Sequence, residues 1–248
     1  MRIKYWLGAA ALLAAASAAQ AMTVDELIAR HIEARGGMKA LSAVKTMRLY
    51  GKYNPAGGQD IWFSQLVARP GLLRSEYGMQ GMTAVTAYDG KGAWQISPFQ
   101  GRKDPFRMSP EDLPAQEDQA DIEGPLVNYK AKGHKVEYLG TEDVDGTEAH
   151  KLQVTRKNGG TTVIYLDPDY FLEIREHNRR VVRGVVQEDE TDLGDYEKVS
   201  GIVVPFSYES GQPGQPKIPS VVEKVEFDVP ADTALFAFPQ TPNAANKK

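Results

Sequence analysis

The chain of 248 residues contains no cysteine. Disulfides, thiolate metal sites and cysteine nucleophiles are thereby excluded. Acylation at an export site is excluded too, because it needs a cysteine directly after the cleavage point, where Met22 stands. Histidine is scarce: His31 lies on a predicted helix, while His134, His150 and His177 lie on separate predicted strands, no two at metal-ligand spacing. Gly-x-Ser-x-Gly, His-Glu-x-x-His, phosphate-cradling loops and dinucleotide fingerprints do not occur. The acidic runs Glu111-Asp112, Glu117 to Asp121 and Glu188 to Glu190 lack the glycine-punctuated spacing of a calcium loop and read as solvated faces. Nothing here points to catalysis, and neither cofactor nor metal is expected. Long apolar runs are also missing after the first 21 residues, so no segment reaches the roughly 20 residues a helix needs to span a bilayer.

Those first 21 residues read as an export signal. Arg2 and Lys4 form a positive n-region, Tyr5 to Ala16 an apolar core and Ala19-Gln20-Ala21 a small-residue cleavage site. The expected mature protein begins at Met22 and works in the periplasm as a soluble protein. The net charge of −4 becomes more acidic once Arg2 and Lys4 leave, which argues against nucleic acid and against adhesion to anionic lipid.

Thr23 to Arg35 predicts a helix: Thr23 and Glu26 form a capping box, Val24, Leu27, Ile28, His31 and Ile32 share a face, and Gly36-Gly37 ends it. Met38 to Val44 adds a short helical turn. From Thr46 the period changes to two. Five strands are predicted at 47–53, 60–68, 72–77, 82–88 and 93–97, with a turn at Asp89-Gly90. Residues 98–133 break the pattern with five prolines and predict an insert carrying short amphipathic helices. Seven further strands are predicted at 134–140, 148–156, 161–167, 171–177, 185–196, 202–208 and 220–229. One domain, residues 22–240, is expected, followed by a flexible tail at 241–248.

Eleven to twelve strands are more than a flat open sheet usually carries. The expected fold is therefore mainly β with a few helices (α+β): a strongly curved antiparallel sheet or incomplete β-barrel with helices covering its concave side. Along 60–68, Ile61, Phe63 and Val67 point to one face and Trp62, Leu66 and Ala68 to the other, so both faces hold large apolar groups. Either helices cover one face and a core fills the other, or one face lines a cavity for an apolar ligand. Trp62, Phe63, Leu66, Trp94, Ile96, Leu126, Tyr129, Leu152, Ile164 and Phe206 are the candidates for such a lining.

The stretch Asp25-Glu-Leu-Ile-Ala-Arg-His-Ile-Glu-Ala-Arg-Gly-Gly37, followed by Leu41 and by Val44-Lys-Thr-Met-Arg-Leu-Tyr-Gly51, resembles the opening of periplasmic outer-membrane lipoprotein-sorting proteins, relatives of LolA. Ala68-Arg-Pro-Gly-Leu-Leu-Arg74, Tyr88-Asp-Gly90 with Trp94, Gly124-Pro-Leu-Val-Asn-Tyr129, Val144-Asp-Gly-Thr147, Gly194-Asp-Tyr196 and Leu235-Phe236 extend the resemblance over nearly the whole mature chain. It implies an incomplete barrel wrapped over helices, with an apolar cavity for acyl chains. The expected function is a periplasmic carrier of lipid or lipidated protein, with membrane delivery partners and a lid formed by the insert and the first helix. The alternative, from a different class, is an envelope sensor or adaptor that binds a protein partner through the sheet. A carrier predicts a dry apolar cavity, an adaptor a packed interior, and a hydrolase a histidine and a carboxylate meeting in a cleft.

Overall fold

A computed structural model describes residues 22–239; the expected signal (1–21) and tail (241–248) lie outside the described residues. Helix α1 (Val24–Ala34) starts at the predicted capping box: the Glu26 N–H donates to Thr23 Oγ1 at 3.3 Å and the Thr23 N–H donates to the Glu26 carboxylate at 2.8 Å. It ends at Gly36, whose φ is +114°. A Cβ there would come within 2.3 Å of the Gly201 carbonyl oxygen, so only glycine lets the helix end approach that turn. Helix α2 (Met38–Ala43) follows and buries Leu41.

The strands then run β1 (Thr46–Tyr53), β2 (Ile61–Ala68), β3 (Leu72–Met79), β4 (Met82–Tyr88), β5 (Ala93–Ser97) and β6 (Arg102–Arg107). After helix α3 (Leu113–Gln119) come β7 (Lys135–Val144), β8 (Thr147–Thr155), β9 (Thr161–Leu166), β10 (Glu173–Val182) and β11 (Val185–Gly194). The last four are β12 (Glu197–Val199), β13 (Ile202–Val204), β14 (Ser207–Gly211) and β15 (Ile218–Phe227). Thirteen of them form one sheet in the order β6-β5-β4-β3-β2-β1-β15-β14-β11-β10-β9-β8-β7, while β12 and β13 form a separate ribbon. Every pairing is antiparallel.

This corrects the expected strongly curved sheet or incomplete barrel of 11–12 strands. The sheet is open, and β6 and β7 remain its two edges with no pairing between them among the described residues. The expectation assumed that so many strands must curl to hide their apolar surface. Instead two kinds of cover do that work. The helices and the segment around Leu126 and Val127 pack on one face, and the chain from Val229 to Phe238 packs on the other. Edge pairing is discouraged by Pro105 with Arg102, Lys103 and Arg107 on β6, and by the irregular register around Gly140 on β7.

Two of the remaining departures have local causes. The insert 98–133 contains α3 but also β6, whose proline and charges hide the strand pattern. The run expected as one strand at 202–208 is split at Pro205. Ile202 to Val204 turns back on β12 through Ser200-Gly201, and Ser207 onward joins the large sheet.

Candidate functional site

Side-chain alternation assigns the faces. On β2, Phe63 and Val67 point toward the helices, and Leu66 and Ala68 point to the reverse face. The ten expected lining residues divide accordingly. Leu126, Leu152 and Ile164 are fully buried under α1, with Tyr129 at the margin donating its hydroxyl to Asp25 at 2.9 Å. Phe63 and Phe206 pack at the border of a second cluster around Leu41, Ile202 and Val222. On the reverse face, Leu66 lies under Phe236, Trp94 and Ile96 pack with Val85, Ala87 and Phe238, and Trp62 stands 43% exposed. The Trp94 indole N–H donates to the Phe236 carbonyl at 2.9 Å. The ten residues do not meet around one space.

The helical face does carry an aromatic row that the sequence reading saw only in part. Phe63 on β2 and Tyr77 on β3 are directly opposite in register. Tyr77 stacks on Phe99 at 5.7 Å between ring centroids, and Tyr53 leans on Phe63 at 6.3 Å. Small residues make room for these rings. Gly51 faces Phe63, where a Cβ would come within 2.5 Å of the ring, and Ala84 faces Tyr77. Tyr77 is 37% exposed, and Tyr53 and Phe99 are half-buried outside the packed clusters. Tyr53, Tyr77 and Phe99 were missed. Parity along each strand could have placed Phe63 and Tyr77 on a shared face only once the register was known.

A charged groove of about 370 Å³ separates the insert from the strands. Arg69 donates to the Val44 carbonyl at 2.7 Å and to the buried Glu123 carboxylate at 2.6 Å. Lys132 bonds Asp121 at 2.6 Å and the Gly124 carbonyl at 2.8 Å, and Arg156 stands 3.4 Å from Asp118. Burial pushes the Asp118 carboxyl up despite that arginine. Paired charges of this kind fasten the insert to the sheet.

A second polar group lies deeper. His31 Nδ1 is 2.9 Å from the Phe171 carbonyl, and its Nε2 is 3.7 Å from Glu173 Oε1. The Tyr196 hydroxyl donates to the Glu173 carbonyl at 2.6 Å. Burial lowers the His31 pKa, and burial together with the nearby Glu173 pushes Glu176 well above the ordinary carboxylate range. His31 and Glu173 are the histidine and carboxylate that meet, but they do so in the interior, where His31 is 1% exposed. Among the described residues no group of three or more histidines and acids is placed to hold a metal.

The architecture is thus an open antiparallel sheet with helices on one face and the chain's C-terminal segment on the other. No family model matches the chain, and no curated protein matches it. Solved structures share its fold. A DUF1329 family protein from Desulfovibrio piger is 14% identical with a TM-score of 0.55, over 86% of this chain and 97% of its own. An outer membrane lipoprotein-sorting protein domain from Vibrio parahaemolyticus is 13% identical with a TM-score of 0.52, over 86% and 97%. A LolA superfamily protein from Nitrosomonas europaea is 12% identical with a TM-score of 0.53, over 88% and 98%. The chain is similar in fold to the LolA superfamily at low identity, without assignment to one family.

Proposed function

We propose that this protein is a non-enzymatic periplasmic carrier that holds an acyl chain of a lipid or lipidated protein along the aromatic row of its helical face. The observation that carries this reading is the row itself: Tyr53, Phe63 and Tyr77 lie across the neighbouring strands β1–β3, and Phe99, on the turn after β5, stacks on a Tyr77 that stays 37% exposed. Burial of an acyl chain contributes about 0.8 kcal/mol per methylene, so covering even part of a chain supports binding without covalent chemistry. The export signal in the sequence and the fold likeness to a lipoprotein-sorting domain support the same reading. Phe99 belongs to the insert, so displacement of the Pro98–Gln100 turn uncovers Tyr77 and serves as the lid movement of a loading cycle.

The test is native mass spectrometry of the mature protein prepared from a periplasmic extract without detergent, followed by titration with cis-parinaric acid. Bound lipid or acylated peptide, with parinaric acid uptake weakened by Tyr77→Ser, is the expected result. A clean mass with no uptake overturns the carrier. It would leave the second reading, an envelope adaptor for a protein partner. One specific observation favours that reading: the space beneath the helices is filled, with Leu27, Leu152, Val154, Ile164 and Leu166 at 0% exposure.

A further inference from the structure

The reverse face holds a groove of about 380 Å³ formed by β1, β2, β3 and Leu235, a size within the ~300–1,000 Å³ typical of small-molecule sites. Its floor is unusual for a solvent-facing sheet. Trp62 is 43% exposed, and its ring lies over Gly78, where a Cβ would come within 2.7 Å of the indole. The glycine lets the ring lie close against the sheet, so its other side is available as a flat platform. Around it stand the hydroxyls of Tyr50 and Ser64, the carboxylate of Glu76 and the guanidinium of Arg48.

The two arginines of the groove are in different states. Arg74 is committed: it donates to Glu76 at 2.7 Å and to the Leu235 carbonyl at 2.9 Å. Arg48 forms no ion pair among the described residues, because Glu226, opposite it in register, is taken by Lys224 at 2.8 Å. Its side-chain hydrogen bond is a 3.5 Å contact to the Tyr50 hydroxyl. A half-buried guanidinium without a carboxylate partner keeps its donors for an incoming anion.

We propose that this groove binds an acidic saccharide, one hexose ring stacking its C–H face on Trp62 while its carboxylate pairs with Arg48. The ring hydroxyls are met by Tyr50, Ser64 and Glu76, which supply donors and an acceptor at the platform's margin. An acyl chain suits this groove poorly, since it would strip water from Arg48 and Glu76 without replacing their hydrogen bonds. The saccharide site is therefore separate from the aromatic row, on the opposite face of the same sheet.

The mature chain from Met22 keeps two tryptophans, Trp62 and the buried Trp94, so tryptophan emission reports the groove. The experiment titrates that protein with trigalacturonate, with neutral maltotriose, and with phosphatidylcholine vesicles with and without glucuronosyl diacylglycerol. A saturable emission change is expected with the acidic ligand, about tenfold weaker with maltotriose. Arg48→Gln should weaken the acidic ligand about tenfold, as loss of one charge-assisted bond implies, and leave maltotriose unchanged. By calorimetry Trp62→Ala should abolish binding and Trp62→Tyr should retain it; the tyrosine variant also covers the case in which the alanine variant fails to fold. Tighter binding to glucuronosyl vesicles assigns a membrane-displayed saccharide, and tighter binding to trigalacturonate a free one. Absence of saturable binding to either acidic ligand, affinity unaltered in Arg48→Gln, or equal binding to plain phosphatidylcholine vesicles overturns the proposal.

Discussion

Two parts of the helical face are finished differently by the same pleated sheet. Across β8 and β9, Leu152, Val154, Ile164 and Leu166 point at Leu27 and Ile28 of α1, and all four strand residues are 0% exposed. Across β1, β2 and β3 the same face buries Val67 and Leu73 toward one end of the strands and carries Tyr53, Phe63 and Tyr77 toward the other, with Tyr77 37% exposed. Aliphatic side chains interlock at interior density and hold the fold. Aromatic rings offer large, stiff contact area at little entropic cost and can wait for a partner. The difference sets a closed aliphatic patch under α1 apart from a half-open aromatic one on β1–β3.

The contrast can be broken most severely on the aliphatic side. Leu152→Ala should lower stability by about 2–5 kcal/mol in urea denaturation, through lost transfer energy and an unfilled cavity, while the folded fraction keeps its affinity for parinaric acid. A smaller effect is expected where the insert is fastened. Glu123→Ala should cost about 1–3 kcal/mol, because the arginine is left with carbonyl partners and remains partly solvated. Combining it with Arg69→Ala should cost less than the sum of the single changes. On the aromatic side, Tyr77→Ser should change stability by under about 1 kcal/mol yet weaken parinaric acid about tenfold. A stability loss like that of Leu152→Ala would place Tyr77 in the core and erase the contrast.

The last contrast concerns pH. Glu176 has its pKa raised in the fold above the ordinary value of 4.5 by burial and by Glu173. The folded state thus prefers the protonated form, and this contribution to stability is fully present below pH 4.5 and is lost as pH rises toward the raised value. His31 works the other way: its lowered pKa gives stability that is present above 6.5 and is lost as pH falls below it. Glu176→Gln should therefore flatten the decline of Tm between pH 4.5 and about 8 and leave the profile below pH 4.5 unchanged. An identical pH profile in the variant would mean that Glu176 ionises freely in the folded protein.

Much of the fold was legible in the order of residues because it rests on local rules. The Thr23–Glu26 capping box, the glycine stop after α1 and the first five strands are set by contacts within a few residues, and each stands where its pattern indicates. The two-faced burial of β2 was also legible, since alternation alone assigns Phe63 and Leu66 to opposite sides. What covers each side was not. Trp94 is capped by Phe236 from 142 positions away, and Arg69 meets Glu123 across 54. No period records such meetings. The strongly curved sheet or incomplete barrel failed as an expectation for the same reason: strand count measures how much sheet must be covered, whereas the covering segment 229–238 has no repeat to announce it. The aromatic row shares that difficulty, because Phe63, Tyr77 and Phe99 become neighbours only through register.

The position of the last strand has a consequence for how the sheet can be assembled. Strands β1–β6 pair among themselves, as do β7–β11 and β14, and β15 lies between β1 and β14, with Met47 opposite Phe227. The two wings share no strand hydrogen bonds until that strand arrives. A chain that folds from its N-terminus can therefore build only two half-sheets, each with a bare central edge exposed to foreign strands, until the final segment is available. β15 is the zip fastener of the molecule, and a stop before Ile218 would leave two linked half-sheets with bare edges in place of one continuous sheet.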